Sequence, residues 1–366
     1  MRSSRTMSWK SVAGVGCVVL AAVVALAPWP AVAVERVYSR GVYAMWQPWV
    51  TGLSNRIPVS LLDVVVAFVL AYLLRAVWRV ALPRTGSRWR AFWRHAATTA
   101  AVAAAIYLIF IGVWGLNYRR IALRGQLDFE PERVTASATA AFAAEAVARV
   151  NELREALTLT AGLRLDPQSV AERLRQPFAQ ALTSIGLPAA TPGRPKVPLV
   201  VPYFRAAGIS GMTHPIGLET LIADNLLPSE LPIVIAHEWG HLAGMGSESD
   251  AGFVGILACV RGDVLAQYSA WLDIFQRALR ELPDKKQQEL VARLSPAVVE
   301  DIRARLERSR RDQIRGLSVS AWNVYDRFLR ANHVESGVRN YDEVIMLLVG
   351  TRFAAGANPE ARSPSK

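Results

Sequence analysis

His237-Glu238-Trp239-Gly240-His241, set inside the apolar run Leu231 to Leu242, places two imidazoles and a carboxylate within five consecutive residues. On an α-helix, residues four apart stand one above the other on the same face, so the two histidines suit neighbouring corners of a tetrahedral Zn²⁺ site. Glu238, one residue on, is rotated by about 100° around the helix. It therefore stays off the metal and can act as general base toward a water there. The chain holds five histidines (His95, His214, His237, His241, His333), and two of them fall at ligand spacing among the apolar residues Ile233, Val234, Ile235 and Leu242. Buried imidazoles need a partner, which argues for a metal against a helix with two incidental histidines. Ser229, followed by Glu230 and Pro232, reads as the start of this helix and Gly244 as its stop.

A catalytic zinc takes three protein ligands and keeps a fourth position open, so a third donor is required. The next carboxylates are Glu248 and Asp250, reached across Gly244 and Gly246, which allow the backbone to turn sharply back. Ser247 with Asp250 three residues later reads as a capping box opening a helix through Ala251, Phe253, Ile256 and Leu257. Glu248 then lies in the first turn, and the two carboxylates point to different sides. The metzincin pattern fails, because Ser247 stands where its third histidine would be. Glu248-Ser249-Asp250-Ala251 resembles the Glu-x-x-Ala segment of gluzincin-type membrane peptidases, and that resemblance implies Glu248 as the ligand with Asp250 as the alternative.

The net charge of +12 is unevenly spread. Residues 1–120 contain fourteen of the 42 basic residues but only Glu35 and Asp63 among the 30 acidic ones, which leaves the rest of the chain neutral. The excess belongs to a membrane region, and the inference of a nucleic-acid partner falls away. Three apolar stretches, 11–34, 59–82 and 96–116, each approach the roughly 20 residues that span a bilayer as a helix. Ala31-Val32-Ala33 also fits a signal-peptide cleavage site, an alternative that leaves the later spans on the same side. Arg75, Arg79, Arg84, Arg88, Arg90 and Arg94 between spans two and three, with Arg2, Arg5 and Lys10 ahead of span one, place those segments in the cytoplasm. Residues 1–118 are thus expected to be a membrane region and 119–366 an extracytoplasmic domain. Arg119 and Arg120, just beyond span three, run against that rule. Cys17 and Cys259 are far apart and read as unpaired.

Helical periodicity marks 135–160, 167–185, 263–282, 287–307, 318–331 and 342–353. Valine-rich Val197 to Phe204 and Leu218 to Ile222 read as strands, the second a candidate edge to which an extended substrate could pair. The expected fold is mainly α, with three N-terminal transmembrane helices followed by an α+β, zincin-like domain carrying a small sheet. His214, Tyr325 and Tyr341 are candidates to stabilise an oxyanion, and Glu219 to orient a histidine.

Val37-Tyr38-Ser39, Ile57 through Asp63, Trp114 through Arg119, Gly208-Ile209-Ser210-Gly211 and His237 through Phe253 together resemble the bacterial membrane-protein family known as domain of unknown function 3810. Gly252 departs from that family, where an asparagine is expected, as does Ser249, where an acidic residue is common. The segment Gly217 to His241 also looks similar to the membrane zinc endopeptidases of the CAAX-processing and heat-shock type, which again implies Glu248 as third ligand. Together these imply a multi-pass protein of the bacterial cell membrane that hydrolyses peptide or protein substrates with Zn²⁺. The alternative is a non-catalytic membrane scaffold that retains the fold, and intact Glu238 argues against it, since a structural metal needs no base.

Overall fold

The computed structural model describes residues 9–81, 88–157, 163–332, 334, 337 and 343–351. Helix α1 (Trp9–Leu26) ends just before Pro28 and Pro30, which lack amide donors and crowd the preceding turn. After a bend of 106° the chain resumes as α2 (Ala31–Ala33), a π-wound segment Val34–Tyr43, and α3 (Ala44–Arg56). The stretch 11–34, expected as one continuous span, is therefore broken by its prolines. Helices α4 (Leu61–Ala81) and α5 (Arg88–Val113) contain the windows Leu61–Arg79 and Phe92–Val113, both long and apolar enough to cross a bilayer. The bent pair makes a third if its two arms count as one span. Arg119 gathers the free carbonyls at the end of α1, with Nη atoms 3.4 Å from Val24, 2.9 Å from Ala25 and 3.1 Å from Ala27. A helix C-terminus needs such donors, which gives this cation a reason to lie beyond the third apolar stretch.

Helices α6 (Ala136–Glu155) and α7 (Pro167–Ser184) form where the periodicity expects them, capped by the side chains of Thr135 and Asp166. Strand β1 (Pro195–Lys196), helix α8 (Val201–Ala207), and strands β2 (Gly211–His214) and β3 (Glu219–Ile222) follow. The sheet order is β1-β3-β2, with β1 parallel and β2 antiparallel to β3, and His214 opposite Glu219. Two expectations change here. Val197 to Phe204 is not a strand: Pro198 cannot donate to a ladder, and Pro202 sits in the first turn of α8, where its missing amide costs nothing. β3 is central, so the edges are β1 and β2 and not Leu218 to Ile222, and β2 is the edge that faces α9.

The rest of the described chain is helical: α9 (Leu231–Leu242), α10 (Glu248–Val260), α11 (Val264–Arg280), α12 (Asp284–Val291), α13 (Pro296–Asp312), α14 (Arg315–Ala331) and α15 (Glu343–Gly350). Helix α9 opens without a side-chain cap. Ser229, expected in that role, instead offers its carbonyl to the Ser269 hydroxyl at 2.7 Å. Ser247 caps α10 as expected, accepting the Asp250 amide at 3.1 Å. Helices α9 and α10 form the centre of the core, and two glycines let their backbones touch. A Cβ on Gly240 would stand 2.6 Å from the Ala251 carbonyl oxygen, and one on Gly255 2.9 Å from the His237 nitrogen. Neither neighbour is a flexible side-chain end, so the helices would have to separate. Gly240→Val is expected to cost about 1–3 kcal/mol by overpacking. Its thermal midpoint in detergent should fall, and an unchanged midpoint would show that the contact tolerates bulk.

Candidate metal centre

The close crossing of α9 and α10 carries Glu248 onto the histidine face of α9. Glu248 Oε2 lies 3.0 Å from His237 Nε2 and 3.4 Å from His241 Nε2. The ligand atoms of these three residues all lie within 4.8 Å of one another, and among the described residues no other group of three or more His, Cys, Asp and Glu meets that spacing. The imidazole planes cross at 88°. His241 Nδ1 sits 2.7 Å from the Met245 carbonyl; donating there, it leaves Nε2 aimed at the cluster.

Glu248 and His241 are both buried. Burial works against the charge on Glu248, yet the two imidazoles hold its carboxyl well below the usual range. For His241, burial favours the neutral ring but the Glu248 carboxylate wins and raises its pKa to about 9. The cluster thus concentrates one negative and up to two positive charges in a space with little water. Tyr325, on α14, donates its hydroxyl to Glu248 Oε1. It was one of three oxyanion candidates in the sequence; of the others, His214 lies elsewhere and Tyr341 is outside the described residues.

Glu238 faces β2. Thr213 Oγ1 lies 2.9 Å from Glu238 Oε2 and 2.9 Å from its backbone carbonyl, and a Cβ on Gly211 would stand 2.6 Å from Oε1. Burial raises the Glu238 pKa, against the pull of both imidazoles. Thr213 was not legible as a site residue, because only strand pairing brings position 213 beside the motif helix.

The remaining sequence candidates are drawn elsewhere. Asp250 turns toward the opposite side of α10, where its Oδ2 accepts the Leu123 amide at 3.2 Å, and burial lifts its pKa to about 6. Glu219 is fully buried and accepts from Lys196 Nζ at 2.9 Å, the Leu62 amide at 2.9 Å and the Leu61 amide at 3.1 Å, with His214 Nδ1 at 3.3 Å. It lies beside His214, not beside the histidines of the cluster, and it fastens the first turn of α4 to β3.

A mainly helical chain with a small three-stranded sheet, two to three apolar helices and a buried His-His-Glu cluster is the class that fold and site define. The chain belongs to the family described as protein of unknown function (DUF3810), which matches it over residues 38–349. No curated protein and no solved structure matches it.

The Glu219 network generates a pH test. Burial alone would raise this carboxyl, but His214, Lys196 and the two amides outweigh it and hold the pKa at about 2. A folded pKa below the ordinary 4.5 contributes stability that is present above pH 4.5 and lost as pH falls toward 2, in total about 3 kcal/mol. Glu219→Gln should therefore lower the unfolding midpoint at pH 7, and the gap to wild type should narrow below pH 4.5. A gap that does not change with pH would mean the network contributes by shape alone.

Proposed function

We propose that the protein is a zinc-dependent peptidase of the bacterial cell membrane, with three spans and a zincin-like catalytic domain on the extracytoplasmic side. The observation that carries the proposal is the convergence of His237, His241 and Glu248 on one point, with Glu238 excluded from that point and held beside it by Thr213. The donor set fits zinc: two imidazole nitrogens and one carboxylate oxygen, three protein ligands in all, with the tautomer of His241 set by the Met245 carbonyl. Bound there, Zn²⁺ would supply Lewis acidity and lower the pKa of water toward about 7.

The chain's own residues would do the rest. Glu238 takes the proton of the water that attacks the peptide carbonyl and delivers it to the departing amide nitrogen as the carbon–nitrogen bond breaks. Thr213 keeps that carboxylate from swinging onto the metal ligands. Strand β2, a sheet edge beside Glu238, is where an extended substrate would pair by strand addition. Orientation follows from the arginines at the facing ends of α4 (Arg75, Arg79) and α5 (Arg88, Arg90, Arg94), with Arg84 between them, which hold those ends in the cytoplasm and put the opposite ends of both helices, with the site, outside.

Metal analysis of detergent-purified protein tests the proposal. About one zinc per chain is expected in wild type, with loss in His237→Ala and in Glu248→Ala. Glu238→Gln should retain the zinc while peptide hydrolysis falls by about 10²–10⁴-fold. Wild-type protein without zinc would remove the reading, and zinc retained in Glu248→Ala would move the third ligand elsewhere.

A further inference from the structure

Helix α14 is amphipathic, yet within it only Leu329 is fully buried. Leu317, Val324 and Phe328 fall at spacings of seven and four residues, on one stripe of the helix. Val324 is 66% exposed and Phe328 39%, an arrangement that wastes apolar area if water covers it. The depth of this stripe is fixed by its neighbours. Phe328 packs against Phe110 with ring centroids 6.1 Å apart and against Tyr118 at 5.9 Å. Phe110 lies in the last turn of the apolar window Phe92–Val113, so Phe328 sits at the level where that helix leaves the bilayer.

A second apolar segment is held at the same level independently. The amides of Leu199 and Val200 donate to Asp63 at 2.8 and 3.4 Å, and Asp63 is in the first turn of the window Leu61–Arg79. Leu199 is 84% exposed, and Val197 and Tyr203 nearby are exposed as well. The two segments are joined, because the Ile314 amide at the head of α14 donates to the Ala206 carbonyl of α8 at 2.9 Å. Arg315 and Arg327, on α14 outside the stripe, are exposed, as cations that meet anionic head groups would be.

We infer that α14 and the 197–203 segment form a bilayer-docking surface, by which the part of the chain beyond the spans returns to the adjoining leaflet and seats in its interface. Continuity with both span ends selects lipid as the occupant over a second protein chain. Tyr325 is rotated by about 100° from Val324, so the residue that reaches Glu248 hangs from the helix that touches lipid. Resting on the peptidase reading, chains that reach the His237–His241–Glu248 cluster are those held at the bilayer surface, such as segments adjoining a membrane span or a lipid anchor.

The test reads depth and needs no activity, so its failure is separable from failure of the peptidase reading. A cysteine introduced as Val324→Cys, in a Cys17→Ser background in which Cys259 is fully buried, is labelled with an environment-sensitive fluorophore in the full chain reconstituted into lipid nanodiscs. An interfacial helix rests about 5–10 Å into the head-group and acyl boundary. Lipids brominated near the head-group end of the acyl chain should therefore quench most of the emission at 324 and leave a label at exposed Glu300→Cys on α13 bright. Emission at 324 as bright as at 300 would overturn the docking surface, and so would quenching at 324 that requires raised protein density in the disc, which would make the occupant another copy of the chain.

Discussion

The last turn of α9 ends inside the protein, and its carbonyls must find donors or leave the helix that carries His237 and His241 unstable. Three residues from the membrane side of the chain meet this demand. Trp114 Nε1 donates to the His241 carbonyl at 3.0 Å, Tyr43 Oη to Leu242 at 2.7 Å, and Arg120 Nη1 to Gly244 at 2.9 Å. Arg120 is itself buried, and a two-pronged pairing with Glu35 at 2.7 and 2.8 Å offsets the cost of its charge. The histidine cluster is thus not carried on a tethered domain. It is built onto one end of the apolar helices, and the bend at residues 27–30 is what brings Glu35 and Tyr43 underneath it.

The opposite wall of the site is tied down in a similar way. Lys196, Glu219 and the first amides of α4 form a buried charged knot that joins the sheet to a membrane helix. Breaking one partner of such a knot is costly because the other charge remains buried. The knot also sets geometry: β3 is fixed, β2 pairs with β3, and Thr213 on β2 holds Glu238. A carboxylate proposed to move protons is thereby located by a chain of contacts that starts at the end of α4.

Close approach of α9 and α10 does for the metal ligands what the caps do for the helix. Gly240 and Gly255 remove the side chains that would hold the helices apart, and Glu248 meets both imidazoles across the gap. The imidazoles hold the Glu248 carboxyl low and the Glu248 carboxylate holds the His241 ring high, so each compensates the other's charge. Tyr325 adds a donor from α14, the element whose apolar stripe lies level with the span ends.

Local rules were enough to read the helices with strong periodicity, the capping of α10 by Ser247, the His-Glu-x-x-His face, and the presence of apolar helices able to cross a membrane. These depend on spacing along the chain, and spacing is a property of sequence. Local rules failed where proline and tertiary contact compete with composition: the run at 11–34 bends, the run at 197–204 turns and enters helix α8 at Val201, and β3 takes the centre of the sheet. They also left Glu248 and Asp250 as alternatives three-dimensionally, since both lie in one helical turn and only the packing of α10 decides that one meets the histidines while the other caps Leu123. Thr213, Tyr325, Trp114 and Arg120 converge on the motif from positions up to 127 residues away along the chain, and no spacing rule reaches that far; their roles come from which surfaces the folded backbone presses together.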